Sequence, residues 1–376
     1  MGRRRALKRL VGGGAAVVGM HGAVWAQAKT LRIGTTLDAT GPEKANGLAV
    51  HQGSTAFFNA VNRNGGINGA KVELQLADDK FNVNAAKTNA LAFRADPSVV
   101  ALVHPLGTRQ TAAMMDAFQD LAIVGPFTGT AGLRKKPSPN TFWVRASYDQ
   151  EVEKLISTAV TLGINQIGLV HPKDPLGAGL LAAFNAACER HKVKPAVIAS
   201  TPNTVSTEVE PAAQEIAKVS PQVVLMGLAA GAAPHFVRAL RKAGGKSNVY
   251  GLSIAMSAQS IRELGELSHG VGSSIIVPSP FAAKYEVVRR YQADMTASGF
   301  TDFSLPSLEC YIDAAVLAEG IRRAGGAPTR AAVIAGLEQL DTFDVGGLRV
   351  HYGKGVREGS RFVDVAVIGK DGRVLS

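Results

Sequence analysis

The residue types that carry catalysis or bind metal are present, but not at catalytic spacings. The eight histidines are His21, His51, His104, His171, His191, His235, His269 and His351. They form no His-x-His or His-Glu-x-x-His pair, and Cys188 and Cys310 form no Cys-x-x-Cys. Ligands on one element need such spacing to converge on an ion, so neither a metal nor a cofactor is expected. Gly251-Leu252-Ser253-Ile254-Ala255 approximates a nucleophile elbow but lacks the second glycine of that strained turn. It follows a strand, and a plain turn at the strand end is the favoured reading. Gly177-Ala178-Gly179 opens a helical pattern without a dinucleotide fingerprint, and there is no Walker A lysine motif. What remains is a set of loops rich in Gly, Ser and Thr at 105–109, 125–131, 171–177, 227–233 and 251–255. A helix that starts just after such a loop offers free backbone N–H groups to an anion. Thr108 and Thr130 add hydroxyl donors there, although each also serves as an ordinary cap or turn residue.

These loops need strands before them and helices after them. Strand-like apolar runs are expected at 31–35, 72–77, 99–104, 122–124, 166–171, 196–200, 222–226, 248–250 and 273–277. Helical patterns fall between them at 47–61, 84–94, 110–119, 150–161, 177–190, 209–218 and 234–243. The alternation reads as right-handed βαβ units with parallel sheets, an α/β protein. Nine strands over this length exceed one compact sheet and fit two α/β lobes. A faint echo agrees: Arg32-Ile33-Gly34 precedes a helix with Phe58-Asn59-Ala60, and Gln166-Ile167-Gly168 precedes one with Phe184-Asn185-Ala186. The last third changes rhythm, with helical patterns at 283–297, 306–324 and 329–340 and a small β tail at 348–352 and 361–368. In open α/β sheets the ligand lies outside the carboxyl ends of the strands, where the loops above are.

The chain has 376 residues, 46% of them hydrophobic, and a net charge of +11. That size suggests about two domains with a sizeable core, and two cysteines exclude a disulfide scaffold. The charge does not mark a nucleic-acid binder. Arg3, Arg4, Arg5, Lys8 and Arg9 lie in the first 28 residues, which contain no acid, and the rest holds 36 basic against 30 acidic residues, a net of +6. A basic start, a mild apolar stretch at 10–24 and Ala26-Gln27-Ala28 read as an export signal, by the Sec or the twin-arginine route, removed after Ala28. The mature protein then works in an oxidising, periplasmic compartment, where Cys188 and Cys310 read as two buried free thiols. The remaining basic pairs sit near helix ends or on polar helix faces.

Several ordered segments bear a family resemblance. They are Leu31-Arg32-Ile33-Gly34, Thr40-Gly41-Pro42, and Phe58-Asn59-Ala60-Val61-Asn62-Arg63-Asn64-Gly65-Gly66-Ile67-Asn68-Gly69 followed by Lys71-Val72-Glu73-Leu74 and Asp78-Asp79. Later come Arg145-Ala146-Ser147-Tyr148, Asp174-Pro175-Leu176-Gly177, Val277-Pro278-Ser279-Pro280 and Ser307-Leu308-Glu309-Cys310-Tyr311. Across residues 29–376 the chain resembles the type I periplasmic binding proteins of branched-chain-amino-acid ABC transporters. The resemblance implies two Rossmann-like lobes joined by a three-strand hinge: lobe 1 from 29–147 and 278–341, lobe 2 from 148–277 and 342–376. The crossings then fall near Ser147, Pro278 and Thr342. It also implies a monomer that closes on a small ligand and hands it, without chemistry, to an ABC permease in the inner membrane; a role as ligand sensor for a membrane receptor or kinase uses the same lobes.

The resemblance places the ligand carboxylate against Leu106, Gly107, Thr108, Phe127, Thr128, Gly129 and Thr130, with Tyr148 lining the apolar part. In amino-acid binders the second lobe supplies two aromatic residues and an acid that pairs with the ammonium; here those positions are Leu176, Ala229 and Ser253. A buried ammonium without its acid costs about 2–5 kcal/mol, about 30-fold to several thousand-fold in affinity. The expected ligand is therefore a small organic acid, aromatic or similar, with Arg109, His104 or His171 supplying charge. A true amino-acid binder would need Asp174 or Glu309 as a shifted ammonium partner. A third reading, an exported hydrolase using Ser253, lacks the elbow glycine. The usual lobe-one disulfide of the family is replaced by Phe81 and Gly107.

Overall fold

The computed structural model describes residues 30–376. The expected export signal, with its cleavage after Ala28, lies outside the described residues.

The first lobe is built on strands β1 (Thr30–Leu37), β2 (Lys71–Asp78), β3 (Val99–Val103), β4 (Ala122–Val124) and β5 (Thr141–Phe142). All neighbours are parallel, in the order β2-β1-β3-β4-β5. Every residue of β3 and β4 is buried, as a sheet covered on both faces requires. The covering helices are α1 (Lys44–Arg63), α2 (Val83–Ala95), α3 (Thr108–Ala117) and the single turn α4 (Ala131–Arg134).

Ser147 then starts α5 (Tyr148–Thr161) with a reciprocal cap: its hydroxyl accepts from the Gln150 N–H, and the Gln150 side chain accepts from the Ser147 N–H. The second lobe alternates β6 (Ile167–Pro172), α6 (Pro175–Arg190), β7 (Pro195–Thr201), α7 (Glu210–Val219), β8 (Val223–Met226), α8 (Ala233–Lys242), β9 (Asn248–Gly251), α9 (Ala258–Leu264) and β10 (Gly272–Ile275). Its five parallel strands run β7-β6-β8-β9-β10. This repeats the order of the first lobe, so the two lobes are similar, as the sequence echo suggests.

After Ile275 the chain returns to the first lobe. Helices α10 (Glu286–Ala297), α11 (Leu305–Ala324) and α12 (Arg330–Glu338) follow, with α11 packed between α1 and α12. Phe57 and Tyr291 meet Tyr311 edge-to-face at 5.2 and 5.6 Å. The short hairpin β11 (Phe343–Asp344) and β12 (Arg349–Val350) comes next. Then β13 (Asp364–Ile368) pairs antiparallel with β10, and β14 (Val374–Leu375) pairs with β13.

The third passage differs from the expected crossing at Thr342. The Trp143 N–H donates to the Arg357 carbonyl and the Ser360 N–H to the Val144 carbonyl, both at 2.9 Å, and the Val287 N–H to the Gly346 carbonyl at 3.0 Å. These bonds hold residues 343–360 on the first lobe, and the chain joins the second sheet only at Asp364. The cause is apolar burial: Val345, Leu348, Val350 and Tyr352 are buried, and Tyr352 packs edge-to-face on Phe142 at 5.3 Å.

All nine strand runs and all ten helical patterns appear, with ends shifted by a few residues. The elements without a sequence signal, α4, α9, β5, β11 and β14, are too short to show a period.

Gly53 sets how closely α1 approaches α11, because a Cβ there would collide with the Ser307 carbonyl. Gly53→Ala must push the helices apart and is expected to lower the unfolding free energy by about 1–3 kcal/mol in urea. An unchanged midpoint would show that α11 can shift freely.

Candidate functional site

A cavity of about 250 Å³ lies between the lobes. Four loops at sheet ends build most of it. In both sheets the first strand (β1 or β6) and its neighbour β3 or β8 carry connections to opposite sides, and the ends of such a strand pair are where α/β sheets hold ligands. The loop after β1 leads to Glu43 and Asn46, and the loop after β3 gives Leu106, Gly107, Thr108, Arg109 and Gln110. The loop after β6 gives Asp174 and Leu176, and the loop after β8 gives Ala229. Phe81, Val83, Phe127, Tyr148, Ile254 and residues 203–205 complete the wall.

The polar corner in the first lobe is made by α3 and three threonines. Gly107 holds φ +104, a conformation that favours glycine, and no side chain caps α3. The first N–H groups of α3 therefore remain open to an anion. Thr108 Oγ1 lies 2.8 Å from Thr128 Oγ1 and 3.0 Å from Thr130 Oγ1, and the last two are 3.2 Å apart. Three hydroxyls carry three protons, so the cluster can turn a donor toward a carboxylate without orphaning its own oxygens. Thr128 and Thr130 stand behind Thr108 rather than in the wall, and Gly129 lets Tyr148 approach, accepting its N–H at 2.8 Å.

The apolar wall rests on a buried cation. The Arg145 guanidinium lies 5.4 Å from the Phe127 ring and 5.3 Å from the Tyr148 ring. It pairs with Glu151 at 2.9 Å and with Glu309 at 3.3 Å. Ser253 belongs to this network and does not line the cavity. Its hydroxyl accepts from Arg145 and donates to Glu151 at 3.1 Å, and its N–H donates to Glu151 at 2.9 Å. The hydroxyl of Ser274 donates to the same carboxylate at 2.6 Å. The Ser253 hydroxyl is thus held by a cation and a carboxylate, not by a histidine base.

Other expected polar partners are engaged elsewhere. His104 is buried 3.3 Å from Asp313, and His171 Nδ1 donates to the Pro172 carbonyl at 2.9 Å; neither lines the cavity. Of the three groups expected to supply charge, Arg109 is the one that does line it. Glu309 is committed to Arg145. Asp174 lines the cavity, but its carboxylate accepts from the Gly177 N–H at 3.2 Å, the Thr204 N–H at 2.7 Å and the Thr204 hydroxyl at 2.5 Å, which fixes the 203–205 loop. Phe81 and Gly107 do lie together: a Cβ on Gly107 would sit 3.0 Å from the Phe81 ring. Cys188 and Cys310 are free and buried.

The sequence reading misses Glu43 and Asn46. Both are buried at the start of α1. Glu43 accepts from the Gly231 N–H across the cleft at 2.9 Å and from the Asn46 amide at 3.0 Å. Burial pushes its carboxyl up to about 7. The signal that would have found them is positional: the β1 loop is one of the two at the first lobe's switch point.

With this geometry in view, the similarity to known proteins is informative. A family model described as periplasmic binding protein matches residues 30–372. The chain belongs to that family, the two-lobed solute binders. A substrate-binding periplasmic protein from Ralstonia solanacearum is 30% identical, with a TM-score of 0.84 over 92% of this chain and 99% of that one. A "possible leucine/isoleucine/valine-binding protein" from Rhodopirellula baltica is 24% identical, with a TM-score of 0.86 over 93% and 97%. The "Leu/Ile/Val-binding protein homolog 3" of Brucella melitensis is 28% identical over 181 residues, 47% of this chain and 48% of its own. The match thus spans about half the length of such curated relatives.

Burial makes the network titrate at unusual pH. It pushes Glu309 up to about 8 and raises Asp313, while it lowers His104 to about 3. A raised carboxyl keeps its proton in the fold after the unfolded chain has lost it, so stability falls as pH rises from about 4.5 toward the folded value. His104 opposes this only below its unfolded value of about 6.5. The protein should therefore lose stability from pH 6.5 to 8, and Glu309→Gln should flatten that fall. Urea midpoints at the two pH values check it; an equally steep fall in the variant would contradict the assignment to Glu309.

Proposed function

We propose that the chain is the extracytoplasmic solute-binding component of an ABC importer, and that its ligand is a small organic carboxylate with a flat apolar body. The observation that carries this reading is the uncapped start of α3 beside the Thr108, Thr128 and Thr130 hydroxyls, facing Phe81, Phe127 and Tyr148. The carboxylate takes the free N–H groups and Thr108, and the rings take the body. The size agrees. A cavity of about 150 Å³ accepts benzene, so about 250 Å³ leaves room for a ring, a carboxylate and one substituent. Solute-binding proteins from R. palustris, 15 and 18% identical and alike in fold, hold benzoate and 4-hydroxybenzoate.

Closure is the working motion. Glu43 and Asn46 on the first lobe bond to Gly231 and to the Ile254 carbonyl on the second, so the lobes meet at one edge of the cleft. A permease that reads this closed form as a monomer takes the ligand onward, with no bond made or broken. Co-purification of the full-length protein with its permease, against a membrane sensor kinase, separates import from sensing.

One observation favours a second reading. Glu43 is a cavity-lining acid that the sequence comparison with amino-acid binders does not supply, and an ammonium could pair with it. Calorimetry decides between them. Benzoate-class acids should bind and leucine should not. Thr108→Val should weaken the acid by about 1–3 kcal/mol through the lost donor to a charged group, with the thermal midpoint of the ligand-free protein unchanged. Tight leucine binding would overturn the carboxylate reading, and an equal loss of ligand-free stability would make Thr108 a structural cap.

A further inference from the structure

Building on the carboxylate reading above, we infer that Phe81 is the residue that selects an aromatic body over an aliphatic one of the same size. Among the described residues three rings line the cavity: Phe81, Phe127 and Tyr148. Phe127 and Tyr148 are each 3% exposed, and both lie against the Arg145 guanidinium. Phe81 is half-buried, so it is the ring with surface left for a ligand.

The backbone under this ring is unusual. Lys80 and Phe81 hold φ +51 and +59, the left-handed region that a bulky residue seldom occupies. Two acids at and just after the end of β2 keep the chain there. Asp78 accepts the Lys80 N–H at 3.0 Å, and Asp79 accepts the Phe81 N–H at 2.8 Å. Asp79 is buried and also accepts the Thr36 hydroxyl at 3.0 Å, so its own position is fixed from β1. A glycine or an asparagine would hold this turn at less cost. A strained residue that persists in the wall of a ligand cavity points to a role in gripping the ligand.

The same residue is tied to the anion corner. The Phe81 carbonyl accepts the Gln110 amide at 2.8 Å, and Gln110 belongs to α3. The ring edge stands against Gly107, the residue before α3, where a Cβ would lie 3.0 Å from Phe81 Cε2. The open N–H groups of α3 and the ring of Phe81 are therefore parts of one rigid unit. A carboxylate seated on α3 brings the atoms next to it up to Phe81. Two aromatic rings gain from offset or edge-to-face contact beyond the area they bury, and a saturated ring does not share that gain. A ring already fixed in place loses little freedom when the ligand arrives.

The test is calorimetry on ligand-stripped protein with benzoate, cyclohexanecarboxylate and leucine. Benzoate should bind about threefold or more tighter than cyclohexanecarboxylate. In Phe81→Leu that ratio should fall below about twofold, and in Phe81→Tyr, which keeps the ring, it should be retained. Equal affinities for the two acids in the wild type would overturn the inference and leave the carboxylate reading intact. A preference that survives in Phe81→Leu would overturn the assignment to Phe81. Leucine binding with neither acid bound, or no binding by any of the three, would overturn the carboxylate reading along with the inference. If Phe81→Leu fails to fold, Phe81→Asn, which suits the left-handed backbone, gives the same test with the same expected ratio.

Discussion

A guanidinium buried at the hinge constrains the rest of the molecule. The side chain of Arg145 is 1% exposed, and a charge taken that far from water must be paired. Its partners come from both lobes: Glu309 from α11 in the first, and Glu151 from α5 in the second. The pairing ties the lobes together beside the first crossing. It also places the cavity wall, since the rings of Phe127 and Tyr148 lie against the same guanidinium. Two carboxylates stand around one cation, and burial pushes the Glu309 carboxyl up while the Arg145 charge opposes that push. A third acid in place of Ser253 would go unpaired. A hydroxyl that donates to Glu151 and accepts from Arg145 fits instead.

The cavity itself follows from topology. Each lobe repeats one strand order, and each places its switch point at the cleft. The first lobe contributes charge complementarity through α3 and the threonines. The second contributes small and apolar groups, Leu176 and Ala229, where amino-acid binders of the resembling family carry aromatics. The result is a cleft that is polar at two places and apolar between them.

Much of this was legible in the sequence. The parallel sheets showed as apolar runs bounded by Gly and Pro, because strands buried on both faces need no polar alternation. The Leu106–Thr108 and Phe127–Thr130 loops were legible from position and resemblance together. Glu43 and Asn46 were not, because Glu43-Lys44-Ala45-Asn46 looks like any solvated helix start. Their burial is created by partners far along the chain, Gly231 and Ile254, and pairing across 208 residues leaves no local trace. The third passage leaves no local trace for a related reason: the side of the hinge on which residues 343–360 lie is set by Phe142 and Trp143, not by their own pattern. His104 and His171 looked available for a ligand, and only packing shows that each is spent within its own lobe.

The most direct test of the account is native mass spectrometry of freshly purified full-length protein, followed by identification of any small molecule released on denaturation. A carboxylic acid of benzoate size, without an amine, is the predicted finding. A co-purified α-amino acid would contradict the carboxylate reading and point to Glu43 as the partner of its ammonium.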